Sequence, residues 1–288
     1  MSLGERDPHT GIHTTGHEWA GITELNTPIP RIVIFFYALT FLIALAMWIL
    51  LPAWPLISTF TKGMLGVTQR ASLQSRLAEA ADQKAPWSDK IAAAGLDAIA
   101  ADPDLRAVAL RSGDTLFRDN CAVCHGQNGK GGPGFPNLAD DAWLWGGSLD
   151  EILETLRVGI NAAHEETRVA QMPAFGRDGI LAREDIVLLT SYLRSLSGLE
   201  EIDPARLENA AALFAENCAS CHGAVAKGDV QFGAPNLTDG FWIYGGDRAT
   251  IYQTIYGGRA GHMPHWGDRL SPVQLKILAL YVHSLGGA

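Results

Sequence analysis

Cysteine is scarce in this chain: four residues in 288. That is too few for a secreted scaffold stapled by disulfides. Basic residues are also short, 22 Lys+Arg against 31 Asp+Glu, for a net charge of −9. Such a chain lacks the positive surface that supplies most nucleic-acid affinity, so no nucleic-acid partner is expected. Charged residues of either sign reach only 18% against 47% hydrophobic, which excludes a disordered chain. The length admits two ordinary domains with residues to spare.

One stretch has no charge at all. From Ile32 to Leu51 the only polar side chains are Tyr37 and Thr40. As a helix rising 1.5 Å per residue, that run reaches about 30 Å, the thickness of a bilayer hydrocarbon core. Pro30 and Arg31 mark its start, and Pro52 and Pro55 its end. Trp48 and Trp54 fall where an interfacial aromatic belt sits. A core helix of this length would carry a polar face. A cleaved signal peptide would be shorter, nearer the N-terminus and followed by a small-residue cleavage site. One uncleaved membrane anchor is therefore expected. Arg31 on one side, with Lys62 and Arg70 on the other, leans toward a cytoplasmic C-terminus, but large C-terminal domains are largely insensitive to that rule.

The remaining chain divides by composition. Residues 1–60 read as a polar tail plus the anchor. His9, His13 and His17 recur every four residues, and with no other ligands nearby a solvated tail is expected. Residues 61–104 read as a helical connector, with Leu65, Leu73 and Leu77 in partial helical spacing. Ser88 is the expected N-cap of a helix through Ile91 and Leu96, and Asp102-Pro103-Asp104 opens the next one.

The rest is an internal repeat. Phe117-Arg-Asp-Asn-Cys121-Ala-Val-Cys124-His125-Gly126 returns as Phe214-Ala-Glu-Asn-Cys218-Ala-Ser-Cys221-His222-Gly223. Pro136-Asn137-Leu138 matches Pro235-Asn236-Leu237, and Trp145-Gly146-Gly147 matches Tyr244-Gly245-Gly246. Met172-Pro173 matches Met263-Pro264. Two domains are expected, 105–198 and 204–288, with a short joint between them. Each copy reads as helical: one helix into the cysteines, a Gly/Pro-rich loop, a helix near 149–158 or 249–256, and an amphipathic last helix. The fold class is all-α, an N-terminal transmembrane helix followed by these two domains.

All four cysteines lie in Cys-x-x-Cys-His motifs, the attachment signature of c-type haem. Two thiols add across the haem vinyl groups, and the next histidine becomes the proximal iron ligand. Cys121, Cys124, Cys218 and Cys221 are thus the attachment residues, and His125 and His222 the proximal ligands, for two covalently bound haems. A Cys₄ zinc site needs a much shorter gap than that from Cys124 to Cys218, and a thioredoxin-like pair needs a βαβ context. Gly126–Lys130 lacks the spacing of a phosphate loop. Met172 and Met263, each before proline and before the last helix of its copy, are the expected sixth ligands; thioether ligation raises the potential. His164, His262 and His265 compete for that position and are read as surface or pocket-rim residues. The carbonyls of Pro136 and Pro235 are natural acceptors for the proximal imidazoles. Thioether haem is attached on the extracytoplasmic side, so the haem domains are expected in the periplasm and the N-terminus in the cytoplasm of a bacterial inner-membrane protein.

Each repeat resembles a small class I-type cytochrome c. The whole chain is similar to the di-haem, membrane-anchored CcoP/FixP-type subunit of cbb3-type cytochrome c oxidases. The most specific likeness is Gly16-His17-Glu18-Trp19-Ala20-Gly21-Ile22-Thr23-Glu24-Leu25-Asn26-Thr27-Pro28-Ile29-Pro30, which matches the family's segment before its first membrane helix, with Ala20 where the family commonly has Asp. The resemblance implies electron uptake from a donor cytochrome c. It implies delivery to a mono-haem cytochrome c subunit, and on to a haem–copper catalytic subunit of a proton-pumping complex. One membrane helix without intramembrane histidines cannot build that oxygen-reducing centre, so no catalytic residue is expected here. The family also admits ligation of one domain's haem by the other domain's methionine; local ligation is the default, because the Cys-to-Met spacing suits a single small domain. The competing functions are a di-haem peroxidase, which needs a displaceable ligand, and an anchored di-haem subunit of another periplasmic redox complex.

Overall fold

The computed structural model describes residues 4–286. Backbone packing divides the chain into two units, Met1–Gln83 and Lys84–Ala288.

The first unit opens on a β-hairpin, β1 Thr14–Trp19 with β2 Ile22–Leu25, antiparallel. The tail is mostly exposed, as expected, but it folds into paired strands. Trp19 lies opposite Ile22, and the two turn residues between them, Ala20 and Gly21, both have positive φ, 52° and 85°. A two-residue turn with both φ positive is the one whose twist matches paired strands. The fourfold histidine recurrence therefore gives no shared helical face: His9 lies in a turn, His13 places Nδ1 3.3 Å from the Gly4 carbonyl, and His17 is exposed on β1. Beyond Pro30 follows α1, Arg31–Leu50, none of whose side chains is buried. A 20-residue apolar helix with none of its side chains buried matches a membrane span.

Helix α2 runs Gln69–Ala93 and α3 Leu96–Ala101. Ser88 lies inside α2 and caps nothing, since the chain is already helical when it arrives. The end of the connector is not a free linker: Ile91 and Ile99 are fully buried in a hydrophobic core of the second unit. Helix α4, Pro103–Asn120, begins as expected. Asp102 Oδ1 accepts from the amides of Asp104 and Leu105 at 2.9 and 3.0 Å, with Pro103 in the first turn. The single turn α5, Ala122–His125, carries the first motif, and α6 spans Leu149–Val158 behind a Ser148–Glu151 capping box. Helix α7, Arg183–Leu196, closes the first repeat. The second repeat supplies α8 Pro204–Asn217, α9 Ala219–His222, α10 Arg248–Gly257 and α11 Pro272–Leu285.

These helices pack into two bodies that do not follow the repeats. In one, Phe117 of α4 lies against Tyr281 of α11, ring centroids 5.5 Å apart. Ile152 and Leu156 of α6 complete that core with Leu275, Ile277 and Leu278 of α11. In the other, Phe214 of α8 lies against Tyr192 of α7, centroids 5.7 Å apart. Ile251 and Ile255 of α10 close over Ile186 and Leu189 of α7. Each body takes its cysteine-bearing half from one repeat and its last helix from the other, so the expected segments 105–198 and 204–288 are sequence repeats rather than packed bodies. The joint supplies the reason. Helices joined by a short connection usually pack as neighbours, and Ser197–Asp203 links α7 directly to α8. Glu200 in that joint accepts from Arg194 Nε at 2.9 Å and also pairs with Arg248 at the start of α10.

Lys276 of α11 fastens the connector to the first body. Its Nζ donates to the carbonyls of Ile91, Ala92 and Ala94 at 3.1, 2.9 and 2.7 Å, at the C-terminal end of α2. A cation on the unpaired carbonyls of a helix end is favourable both as a hydrogen-bond donor and toward the helix dipole. Lys276→Met is expected to lower the stability of the second unit by about 1–3 kcal/mol, measured by denaturant unfolding of the haem-loaded protein; an unchanged midpoint refutes the fastening role.

Candidate haem site

Each Cys-x-x-Cys-His motif forms one isolated helical turn. α4 ends at Asn120, Cys121 interrupts the run, and the His125 amide bonds back to the Cys121 carbonyl at 3.0 Å. The second motif repeats this, with the His222 amide on the Cys218 carbonyl at 3.0 Å. Residues three and four apart share a helix face. That geometry turns both thiols and the imidazole of each motif the same way.

Both imidazoles are held from behind. His125 Nδ1–H donates to the Pro136 carbonyl at 3.1 Å, and His222 Nδ1–H to the Pro235 carbonyl at 2.9 Å. A carbonyl only accepts, so each bond fixes the tautomer and leaves the Nε2 lone pair free for a metal. Burial pushes both imidazoles below the usual histidine range, and the proline carbonyls pull part of the way back. Both shifts favour the neutral imidazole, the form an iron ligand takes. Burial also pushes the Cys121 and Cys218 thiols up to about 11, with the partner cysteine adding to the shift. A redox-active pair needs the opposite, a lowered thiol pKa, so the thioredoxin-like alternative loses its physical basis.

Both motifs and both methionines line a single apolar chamber. Within it the methionines are exchanged. Met263 packs into the body that holds Cys121 and Phe117. Met172 packs into the body that holds Cys218 and Phe214. This is not the local pairing expected from the Cys-to-Met spacing; spacing along the chain carries no information about which body a loop joins. The exchange is set by main-chain hydrogen bonds. Ile160 and Met263 bond reciprocally, 2.9 Å each way. Met172 and Arg259 do the same at 2.8 and 3.1 Å. Asn161 adds a clasp, its Nδ2 donating to the carbonyls of Ala170 and Gly261 at 2.8 and 2.6 Å.

The polar groups around the chamber fit a propionate-bearing macrocycle. Trp242 lines it, and its buried Nε1–H has no partner among the described residues. Arg168 Nε is likewise buried and unpaired, with its guanidinium stacked 5.0 Å over Trp145. Arg259 lines the chamber and stacks 4.1 Å over Tyr244, braced on Thr254 Oγ1. Buried donors without acceptors call for an anionic partner. Trp145 and Tyr244 line the chamber as well; the two arginines were not among the residues singled out from the sequence. A signal existed, because each stands four residues before the methionine in a repeated Arg-x-x-x-Met-Pro. Of the competing histidines, His262 sits exposed on the chamber rim. His164 and His265 face one another with ring centroids 5.4 Å apart, and His265 pairs with Asp268 at 3.4 Å.

A groove beside the chamber carries charge of one sign in excess. Asp140, Asp141, Asp229 and Asp239 line it, against Lys130 and Lys227. Burial raises the Asp140 carboxyl, the Ala142 amide opposes it, and the nearby carboxylates Asp141 and Asp239 raise it further.

The crossing needs glycine at two matched places. Gly159 and Gly258 follow α6 and α10 with φ of 69° and 68°. A Cβ on Gly258 would collide with the Met172 carbonyl, and one on Gly159 with the Met263 carbonyl. Gly258→Ala adds strain in the left-handed region to that collision and is expected to cost about 1–3 kcal/mol of stability. Calorimetry of the haem-loaded chain tests this; a neutral substitution denies the close approach.

Comparison with known proteins completes the description of the site. Residues 110–197 match the family described as cytochrome c. Residues 205–282 match cytochrome C oxidase, cbb3-type, subunit III. Residues 11–58 match the N-terminal domain of cytochrome oxidase-cbb3, FixP. The chain is 48% identical, over 98% of its length and 98% of the relative's, to a cbb3-type cytochrome c oxidase subunit FixP of Bradyrhizobium sp. (strain ORS 278). It is 43% identical to a subunit CcoP of Azospirillum sp. (strain B510), covering 100% and 99% of the two chains. It is 43% identical to the subunit CcoP of Cereibacter sphaeroides, covering 95% and 94%.

Proposed function

The chain belongs to the subunit III family of cbb3-type cytochrome c oxidases, the FixP and CcoP subunits, and on that premise we propose which of its residues carry the electron-transfer role and how. It is a membrane-anchored cytochrome c subunit that transfers electrons within a cbb3-type oxidase. Two haem c groups are bound covalently, one through Cys121 and Cys124, the other through Cys218 and Cys221. His125 and Met263 would hold the iron of the first, His222 and Met172 that of the second. The observation that carries this reading is the packing of Met263 with Cys121 and of Met172 with Cys218 around one chamber.

Haem c supplies reversible one-electron chemistry at iron when bound. The protein's own residues hold, orient and enclose that chemistry. The Pro136 and Pro235 carbonyls lock the imidazoles. Arg168, Arg259 and Trp242 present positive charge and N–H donors to the propionates. The apolar wall, with Phe175, Leu189, Leu193 and Trp266 among its members, excludes water and favours the less charged ferrous state. A methionine thioether on iron would raise its potential, and an iron held by both His and Met would have no position left for oxygen or peroxide. The chain therefore relays electrons and does not itself reduce oxygen. They arrive from a donor cytochrome c and leave to the mono-haem subunit, then to the haem–copper catalytic subunit. The N-terminus lies in the cytoplasm and the haem domains in the periplasm of a bacterial inner membrane.

The exchange of ligands has a direct test. In a variant keeping only the second haem (Cys121→Ala with Cys124→Ala), Met172→Ala should lower the remaining potential by about 0.1–0.3 V, a part of the span that axial ligands control. Met263→Ala should leave it almost unchanged. The reverse pattern in a redox titration restores local ligation, and no response to either substitution removes both methionines from the ligand set.

The acidic groove at Asp140, Asp141, Asp229 and Asp239 favours a donor with a basic face. The electron-uptake rate should fall steeply as ionic strength rises, because salt screens steering between exposed charges. Stopped-flow reduction at several salt concentrations reads this, and a flat profile rejects a charge-guided encounter.

A further inference from the structure

The membrane helix is expected to stop at Leu51, but the chain stays uncharged well beyond it. After Arg31 the next charged residue is Lys62, so the stretch 51–61 is as free of charge as α1 itself. That stretch does not leave the helix end. Trp54 to Thr61 form a small turned-back loop: the Thr61 amide bonds the Trp54 carbonyl at 2.9 Å, the Leu56 amide the Thr59 carbonyl at 2.7 Å, and the Trp54 amide Thr61 Oγ1 at 3.0 Å. The chain then returns to α1. The Met64 amide donates to the Ile49 carbonyl at 2.9 Å and the Leu65 amide to the Leu50 carbonyl at 3.1 Å. Gly63, at φ 69°, permits the approach, because a Cβ there would strike the Leu50 carbonyl.

Two features identify what surrounds this loop. First, the last carbonyls of a helix are ordinarily left to water; here those of Ile49 and Leu50 accept from returning chain, as a low-dielectric, lipid-exposed end favours. Second, the apolar side chains face outward. Trp54, Leu56, Ile57, Phe60, Met64 and Leu65 are all exposed. Trp54 also packs tilted against Trp48 of α1, centroids 5.0 Å apart, in the amphipathic aromatic pattern of a membrane interface. Hydrogen bonds to Ile49 and Leu50 hold the loop at the depth where α1 leaves the bilayer, so its apolar surface meets the headgroup–acyl boundary.

We propose that residues 51–65 form a second membrane contact, an interfacial foot folded back on the end of the transmembrane helix and seated in lipid. The inference rests on α1 spanning the bilayer and is independent of the haem assignments. The test uses the full haem-loaded chain in phosphatidylcholine–phosphatidylglycerol nanodiscs, and the assembled oxidase in the same lipid, with a bilayer-restricted photoactivated carbene read residue by residue by mass spectrometry. The expected result is label on Trp54–Leu65 comparable to that on 32–50 in both samples, with loss of label at the exposed Leu73 and Leu77 of α2. Label on 32–50 without label on the loop overturns the foot and leaves the span intact. Absence of label from both overturns the two together. Label on the loop that disappears in the assembled oxidase means that a partner subunit covers this surface, and also overturns the proposal. Hydrogen exchange at the Met64 and Leu65 amides reads the fold-back separately: slow exchange in the wild type that is lost in Gly63→Ala supports it, and rapid exchange in the wild type overturns it.

Discussion

The main-chain pairing of the two methionine loops, Ile160 with Met263 and Met172 with Arg259, is the constraint on which the haem-bearing unit depends. Each loop sits between a motif held by one repeat and a last helix that packs on the other. With those four hydrogen bonds made, Met263 can reach only the body of Cys121, and Met172 only that of Cys218. The two sites then share walls and open into one chamber. Neither body is complete on its own repeat, so the two sites are expected to gain or lose order together. Such coupling fixes the separation of the two motifs by covalent chain and core packing rather than by a flexible joint.

Around that crossing, similar local solutions appear twice on different side chains. Tyr281 covers Phe117 where Tyr192 covers Phe214. Arg168 lies over Trp145 where Arg259 lies over Tyr244. Pro136 holds His125 where Pro235 holds His222. The near-symmetry is not complete. Between its post-helix glycine and its Arg-x-x-x-Met-Pro, repeat one inserts Ile160–Thr167, and that insertion carries Asn161, whose amide clasps both loops. Differences of this kind are where two otherwise matched sites can acquire different potentials, since charge and hydrogen bonding near the macrocycle tune a haem as strongly as its ligands do.

The membrane unit follows a different rule. In the second unit, apolar side chains point inward and backbone groups near the surface are left to solvent. In α1 and the loop after it, apolar side chains point outward and the backbone closes on itself. The solvent changes which arrangement is stable, and one sequence obeys both rules in separate stretches.

Much of this was legible in the residues because it depends on short-range pattern. Cys-x-x-Cys-His places two thiols and an imidazole on one helical turn whatever surrounds it, and an uncharged run from Ile32 to Leu51 needs lipid whatever follows. The duplicated Met-Pro singled out two methionines that line the chamber, and Asp102-Pro103 named a helix start. Other features were decided by tertiary structure alone. Which methionine meets which motif is set by the pairing of Ile160 with Met263 and of Met172 with Arg259, and the Cys-to-Met spacing does not encode that choice. The hairpin at Thr14–Leu25 was hidden because its positive-φ turn uses Ala20 rather than Asn or Asp. Ser88 has the identity of a cap but lies mid-helix, because caps are set by where the chain turns. Sequence alone determined the chemistry each residue offers; the fold decided which of those residues meet, since that choice is made by long-range packing between segments distant along the chain.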